Sequence, residues 1–199
     1  MDAVDQAEVL LGQLRGRARG LPQLHTHVAD ATTWPDRDYD VVQAVLGIFF
    51  FLQMASGTEH VIARARAGGR CGLTIWRRGA METAGQHLRG AVAQVTGTAA
   101  ESRKQHLIDR INQPETYRGW LTDRGLTQVE VTEHELVLPI TPELAWLVVT
   151  GSGFAAALAG LDTSGVEAVR RAYLASLNEA GVRHLDATTL VGVGTRPMT

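Results

Sequence analysis

The sequence has one cysteine, Cys71, in 199 residues. That excludes an internal disulfide and a cysteine-rich zinc centre, and accords with a reducing compartment. Neither charge is in excess: 19 Lys and Arg against 21 Asp and Glu leave a net charge of −2. No global field therefore draws nucleic acid or an anionic membrane. No basic segment followed by an apolar stretch stands at the start, so no secretory signal is expected. The longest apolar run, 41–55, is interrupted by Gln43 and Gln53 and falls short of the ~20 residues that a membrane-spanning helix needs. It reads as a buried strand passing into a turn. Metal-ligand spacing is absent too: His25 and His27 share a strand face without a third ligand. Gly151-Ser152-Gly153 lacks the spacing of a serine nucleophile turn and reads as a break between helical stretches. The expectation is a cytoplasmic protein without metal, nucleic-acid or membrane partners.

What is present alternates. Asp2 to Val4 reads as a strand remnant and Glu8 to Arg19 as a helix, with Val9, Leu10 and Leu14 spaced for one face and Gly20 and Pro22 closing it. His25 to Ala29 is the next strand. A polar loop follows, and then Tyr39 to Leu46, a strand apolar on both faces. A crossover helix over about 58–67 ends at Gly68-Gly69, and Cys71 to Trp76 is a strand that buries the cysteine. Arg64, Arg66, Arg70, Arg77 and Arg78 form the densest basic stretch, expected at the surface around helix ends and turns. Strands alternating with helices imply a parallel sheet covered on both faces, with right-handed connections.

From Gly79 to about Glu115 the alternation lapses. This segment carries Met81, His87, Arg103, Lys104 and His106 on apparent helices and reads as a lid or substrate insertion. A helix from Pro114 through Leu121, an alternating strand over 127–138, helices over about 142–159 and 164–180, and a terminal strand over 187–194 complete a chain read as one domain. His87 and His106 are the histidines best placed to meet a substrate. No residue is singled out as the catalytic base.

Open α/β sheets take ligands at the carboxyl ends of their strands, and three segments meet that condition. Asp5 ends the first strand, where a carboxylate can accept from both hydroxyls of a ribose; an acidic residue before a helix is equally an ordinary cap. Asp30-Ala31 ends the second. There a carboxylate can accept from an adenine amino group while a small residue lets the base lie close; Asp30 can also simply begin a turn. Ala44 to Gly47 ends the third and can line the same crevice.

These segments, in order, resemble class I S-adenosylmethionine-dependent methyltransferases. Val4-Asp5-Gln6-Ala7-Glu8-Val9-Leu10 is similar to their V-D-x-S-x-x-M-L element, and Val28-Ala29-Asp30-Ala31 with Trp34-Pro35 to their A-D-A-x-x-L-P stretch. Tyr39-Asp40-Val41-Val42 resembles the family's fourth strand, Arg66-Ala67-Gly68-Gly69-Arg70 the turn before the fifth, and Thr74-Ile75-Trp76 the end of that strand. Gly125 to Val131 is similar to the sixth. The long segment after the fifth strand resembles the small-molecule enzymes of the ubiquinone/menaquinone type.

The resemblance implies a Rossmann-like sheet with helices on both faces and a terminal antiparallel hairpin. It implies S-adenosylmethionine as cofactor, held by Asp5 at the ribose, Asp30 at the adenine amino group and Ala31 against the base, with Gln6 and Ala44 beside them. The methyl would pass to an oxygen, nitrogen or carbon nucleophile of a small organic acceptor. The family's first strand and its G-x-G-x-G loop have no counterpart here, so an N-terminally truncated form is expected. In the family that strand lies at the sheet's centre, between the second and fourth. Without it, buried edges go unpaired at roughly 1–3 kcal/mol per group, against a total stability of about 5–15 kcal/mol. Activity impaired by this loss, a non-catalytic binding or scaffold subunit in a homo- or hetero-oligomer, and a chain whose true start lies upstream all stand as expectations.

Overall fold

The computed structural model describes residues 1–99 and 106–198. The chain forms two compact units. The first comprises Met1–Ile75, Pro114–Thr132 and Val191–Thr199; the second comprises Trp76–Gln113 and Glu133–Leu190. The stretch read as a lid thus belongs with Glu133–Leu190, while Arg103 and Lys104 lie outside the described residues.

In the first unit, β1 (Asp2–Asp5) leads into α1 (Glu8–Arg17) and returns to β2 (His25–Val28), parallel to β1 with Asp2 opposite His25 and Asp5 opposite Val28. The helix is shorter than expected and its apolar face differs: Leu11 is buried, whereas Val9 and Leu10 are exposed. β3 (Tyr39–Val45) passes through a 3₁₀ turn, Ile48–Phe50, into α2 (Met54–Ile62) and then β4 (Ala65–Trp76), which lies parallel to β3.

Two boundaries differ from expectation here. The crossover helix starts and ends earlier, and β4 begins six residues before Cys71. Its first residues read as a helix end because of Gly68-Gly69, but long-range pairing decides otherwise. Gly68 N–H donates to Arg196 O and Arg196 N–H to Gly69 O, which binds the start of β4 to the end of the last strand. Gly68 holds φ +72°, and a β-carbon there would run into Met198.

The remaining strands of this sheet are β5 (Thr127–His134) and β8 (Thr189–Thr195), giving the order β3-β4-β8-β5. Thr127 Oγ1, at the start of β5, donates to Thr195 O at the end of β8, so these two run antiparallel, as the terminal hairpin requires. α5 (Pro114–Asp123) packs Tyr117, Trp120 and Leu121 into the core. The Tyr117 hydroxyl donates to Leu73 O at 3.1 Å, satisfying a phenol that burial pushes well above its ordinary pKa.

The sheet is interrupted. β1 and β2 form one two-stranded sheet and β3-β4-β8-β5 another, and among the described residues β1 and β3 are each edge strands. The consequence shows in β3, expected to be buried on both faces: Val41 and Val45 are 56% and 67% exposed.

The second unit is mainly helical. α3 (Glu82–Thr96), α6 (Pro142–Thr150) and α7 (Thr163–Glu179) bury Leu88, Ala91, Ala145, Val149, Val169, Tyr173 and Leu177 against one another. α4 (Ile108–Ile111) is a single turn. The Thr141 hydroxyl caps α6 and the Asp162 carboxylate caps α7, as their residue types favour. The helix expected over 142–159 is broken at Gly151-Ser152 and resumes as a 3₁₀ stretch, Gly153–Leu158. The strand expected over 127–138 is likewise divided: β5 stops at His134, and β6 (Val137–Pro139) pairs antiparallel with β7 (His184–Asp186). Among the described residues no helix is long and apolar enough to cross a membrane.

Candidate functional site

The carboxyl ends of β1, β2 and β3 surround one cavity of about 610 Å³ in the first unit, within the range of small-molecule and cofactor sites. All five residues singled out from the sequence line it: Asp5 and Gln6 after β1, Asp30 and Ala31 after β2, and Ala44 in β3. They meet because parallel strands joined by crossovers bring their carboxyl ends to one side of a sheet.

Each carboxylate has one oxygen engaged in a local turn. Asp5 Oδ1 accepts from the Ala7 N–H at 2.7 Å, at the entry to α1. Asp30 Oδ1 accepts from the Thr32 N–H at 2.8 Å and the Thr32 hydroxyl at 2.7 Å. The capping and turn roles weighed from the sequence are therefore present; they occupy Oδ1 at each residue. The Thr32 hydrogen bonds, with a smaller contribution from Gln6, hold Asp30 below its ordinary carboxylate pKa, so it is an anionic acceptor at neutral pH. Small side chains at Ala29, Ala31, Ala44 and Gly47 leave the wall open to a flat ring.

Sequence reasoning missed the opposite end of the cavity. Asp2, Trp34, Tyr39 and Arg64 also line it. The Tyr39 hydroxyl donates to Asp2 Oδ2 at 3.0 Å, the Trp34 indole N–H donates to the Tyr39 oxygen at 3.1 Å, and His27 Nε2 lies 2.9 Å from Asp2 Oδ1. The His27 and Trp34 rings lie 4.6 Å apart between centroids. The Arg64 guanidinium donates to Trp34 O and Pro35 O. A tryptophan in a polar loop five residues from a strand-opening tyrosine was the available signal.

Of the other candidates, His87 Nδ1 is 2.7 Å from Ser176 Oγ, joining α3 to α7. The N–H of exposed His106 donates to Asp109. Much of the basic stretch is paired: Arg66 with Asp40, Arg77 with Asp186 and Glu133. Among the described residues no three His, Cys, Asp or Glu side chains gather to hold a metal.

No protein-family model matches the sequence, and no curated protein matches it. Solved structures do match. The YcgJ protein of Bacillus subtilis superposes with a TM-score of 0.58 at 12% identity, covering 98% of this chain and 82% of that one. A putative methyltransferase from an antibiotic biosynthesis pathway of Anabaena variabilis gives 0.54 at 18% identity, covering 98% and 81%. Phosphoethanolamine N-methyltransferase 2 of Haemonchus contortus, solved in complex with S-adenosyl-L-methionine, gives 0.50 at 12%, covering 98% and 43%. The chain has the class I methyltransferase fold.

Proposed function

We propose that this methyltransferase-fold chain binds S-adenosylmethionine at the carboxyl ends of β1, β2 and β3 and serves methyl transfer to a small organic acceptor. One observation carries the reading: the five residues expected to contact the cofactor line a single cavity of suitable size. The donor set suits the group. Asp5 offers a carboxylate oxygen to the ribose hydroxyls, ionised Asp30 accepts from the adenine amino group, Ala31 packs on the base, and Gln6 and Ala44 complete the wall. When bound, S-adenosylmethionine supplies an electrophilic sulfonium methyl. The chain's contribution is then to orient, since transfer of this kind depends largely on proximity. These contacts reach only the adenosine half, so affinity of the 199-residue chain is low.

A second reading, a non-catalytic binding subunit of an oligomer, draws on the interrupted sheet.

The test compares adenosine, 2′-deoxyadenosine and inosine by ligand-observed NMR, followed by calorimetric titration with S-adenosylmethionine. Adenosine is expected to bind about tenfold or more tightly than either analogue, as loss of one charge-assisted hydrogen bond implies. S-adenosylmethionine is expected to bind no more tightly than about 10⁻⁵ M, or −7 kcal/mol. Equal binding of the three nucleosides overturns the site assignment. Micromolar or tighter binding of S-adenosylmethionine overturns the account of what the residues reach.

A further inference from the structure

The loop 29–38 between β2 and β3 carries Asp30 and Ala31 and forms no helix or strand of its own. Its near neighbours hold Asp30: the Thr32 N–H and hydroxyl donate to the carboxylate, and the Thr33 N–H donates to the Asp30 carbonyl. Turns of this kind orient a side chain within its loop. They do not fix the loop against the rest of the cavity, and a hydrogen bond to a ligand weakens steeply with small errors of distance and angle.

α2 supplies the second constraint. Gly57 and His60 stand three residues apart, and Arg64 four further on, just past the helix, so the three share one face. At buried Gly57 the absent side chain admits Thr32: a β-carbon there would lie 3.0 Å from the Thr32 γ-methyl. Half-buried His60 donates from Nε2 to Trp34 O at 3.0 Å; the proton sits on Nε2 because a carbonyl only accepts. Arg64 Nη1 donates to Trp34 O at 3.1 Å and to Pro35 O at 3.2 Å, and its Nε donates to His60 O at 3.2 Å. Both acceptor positions of the Trp34 carbonyl are thus filled from one helix face. Thr32 meets Asp30 with its polar atoms and Gly57 with its methyl, so any shift of the loop on α2 moves the carboxylate. Asp5 is held elsewhere, by the Ala7 N–H at the entry to α1.

We propose that Gly57, His60 and Arg64 are positioning residues for nucleobase recognition. They fix the loop so that Asp30 meets the amino group of the base, and they decide base specificity while leaving ribose recognition at Asp5 untouched. The inference rests on the cofactor reading, which puts an adenosine between those two carboxylates.

The test measures binding of adenosine, inosine and 2′-deoxyadenosine to wild type, His60→Leu, His60→Gln and Arg64→Met, with folding checked by circular dichroism. His60→Leu and Arg64→Met are each expected to lower the preference for adenosine over inosine by about threefold or more, as loss of one loop hydrogen bond implies. Their preference for adenosine over 2′-deoxyadenosine is expected to stay at the wild-type value, a split that general loosening of the fold would not give. In His60→Gln the amide nitrogen reaches the place of Nε2 and is expected to restore the base preference. That variant also separates position from charge, because His60 helps to keep Asp30 ionised, though less than the Thr32 hydrogen bonds do. Amide exchange at Thr32 in the ligand-free chain is expected to quicken in His60→Leu and not in His60→Gln. If His60→Leu does not fold, Arg64→Met decides. Variants that keep the full base preference, that lose base and ribose preference together, or a glutamine variant that behaves like leucine overturn this inference and leave the cofactor reading standing. A wild type without preference among the three nucleosides overturns both.

Discussion

The Tyr39 hydroxyl donates to the Asp2 carboxylate at 3.0 Å, linking the first residues of two strands that belong to separate sheets. Asp2 also lies 2.9 Å from His27 on β2. Side chains thus hold the starts of β1 and β3 together where backbone pairing is absent. The His27 hydrogen bond, opposed by burial and aided to a lesser extent by the Tyr39 hydroxyl, holds Asp2 below its ordinary pKa.

A folded-state pKa below the unfolded one means stability that is fully present above about pH 4 and is lost as pH falls through the folded value. Urea unfolding of wild type, Asp2→Asn, Tyr39→Phe and the double variant between pH 2.5 and 7 is expected to give a coupling of about 1 kcal/mol at neutral pH. That coupling disappears at the acid end. A coupling independent of pH contradicts the assignment.

Gly192 in β8 is buried where a β-carbon would meet Leu121 and Tyr117 of α5, and both of those side chains are fully buried. Gly192→Ala is expected to cost about 1–3 kcal/mol through overpacking, read as a lower urea midpoint with an unchanged slope. An unchanged midpoint would show that α5 yields without cost.

Asp30 is held ionised by Thr32 and lines the cavity. Under the cofactor reading, Asp30→Asn keeps an oxygen for the Thr32 turn but removes the charge that favours a donor. The preference for adenosine over inosine is expected to fall from about tenfold toward unity, a loss of roughly 1.4 kcal/mol, with circular dichroism unchanged. A variant that keeps the full preference relocates the adenine contact.

The grouping of the candidate residues was more legible in the sequence than some elements around them. That Asp5, Asp30, Ala31 and Ala44 line one cavity could be anticipated because strand ends in an α/β sheet share one side, a rule that survives errors of a few residues in element bounds. The start of β4 was not legible: Ala65 to Gly69 looks like a closing helix, and only its pairing with Arg196, over 120 residues away in sequence, makes it a strand. Val41 and Val45 carried the apolar signal of a buried strand, but composition does not report whether a neighbour is present to bury it. Val9 and Leu10 had helical spacing, yet the packed side chain of α1 is Leu11. Asp2 and Tyr39 gave no spacing signal, because their relation is made by strands 37 residues apart.

Cys71 lies in β4 opposite Val42 of β3 and is fully buried, and burial pushes its thiol up to about 11. At pH 8 the thiolate, which is the reactive form, would be about one part in a thousand even if reagent could enter. Labelling by a disulfide-exchange reagent is therefore expected only through opening of the sheet, with a rate that rises with urea along the unfolding curve. Because β3 is an edge strand, that opening is expected to need less urea than loss of the α3–α7 core, which can be followed separately through Trp146 fluorescence in a variant lacking the other three tryptophans. Labelling in native buffer at the rate of a free thiol would mean that β3 does not stay on β4. Labelling and fluorescence changing at one urea concentration would mean that the interrupted sheet is as stable as the helical unit.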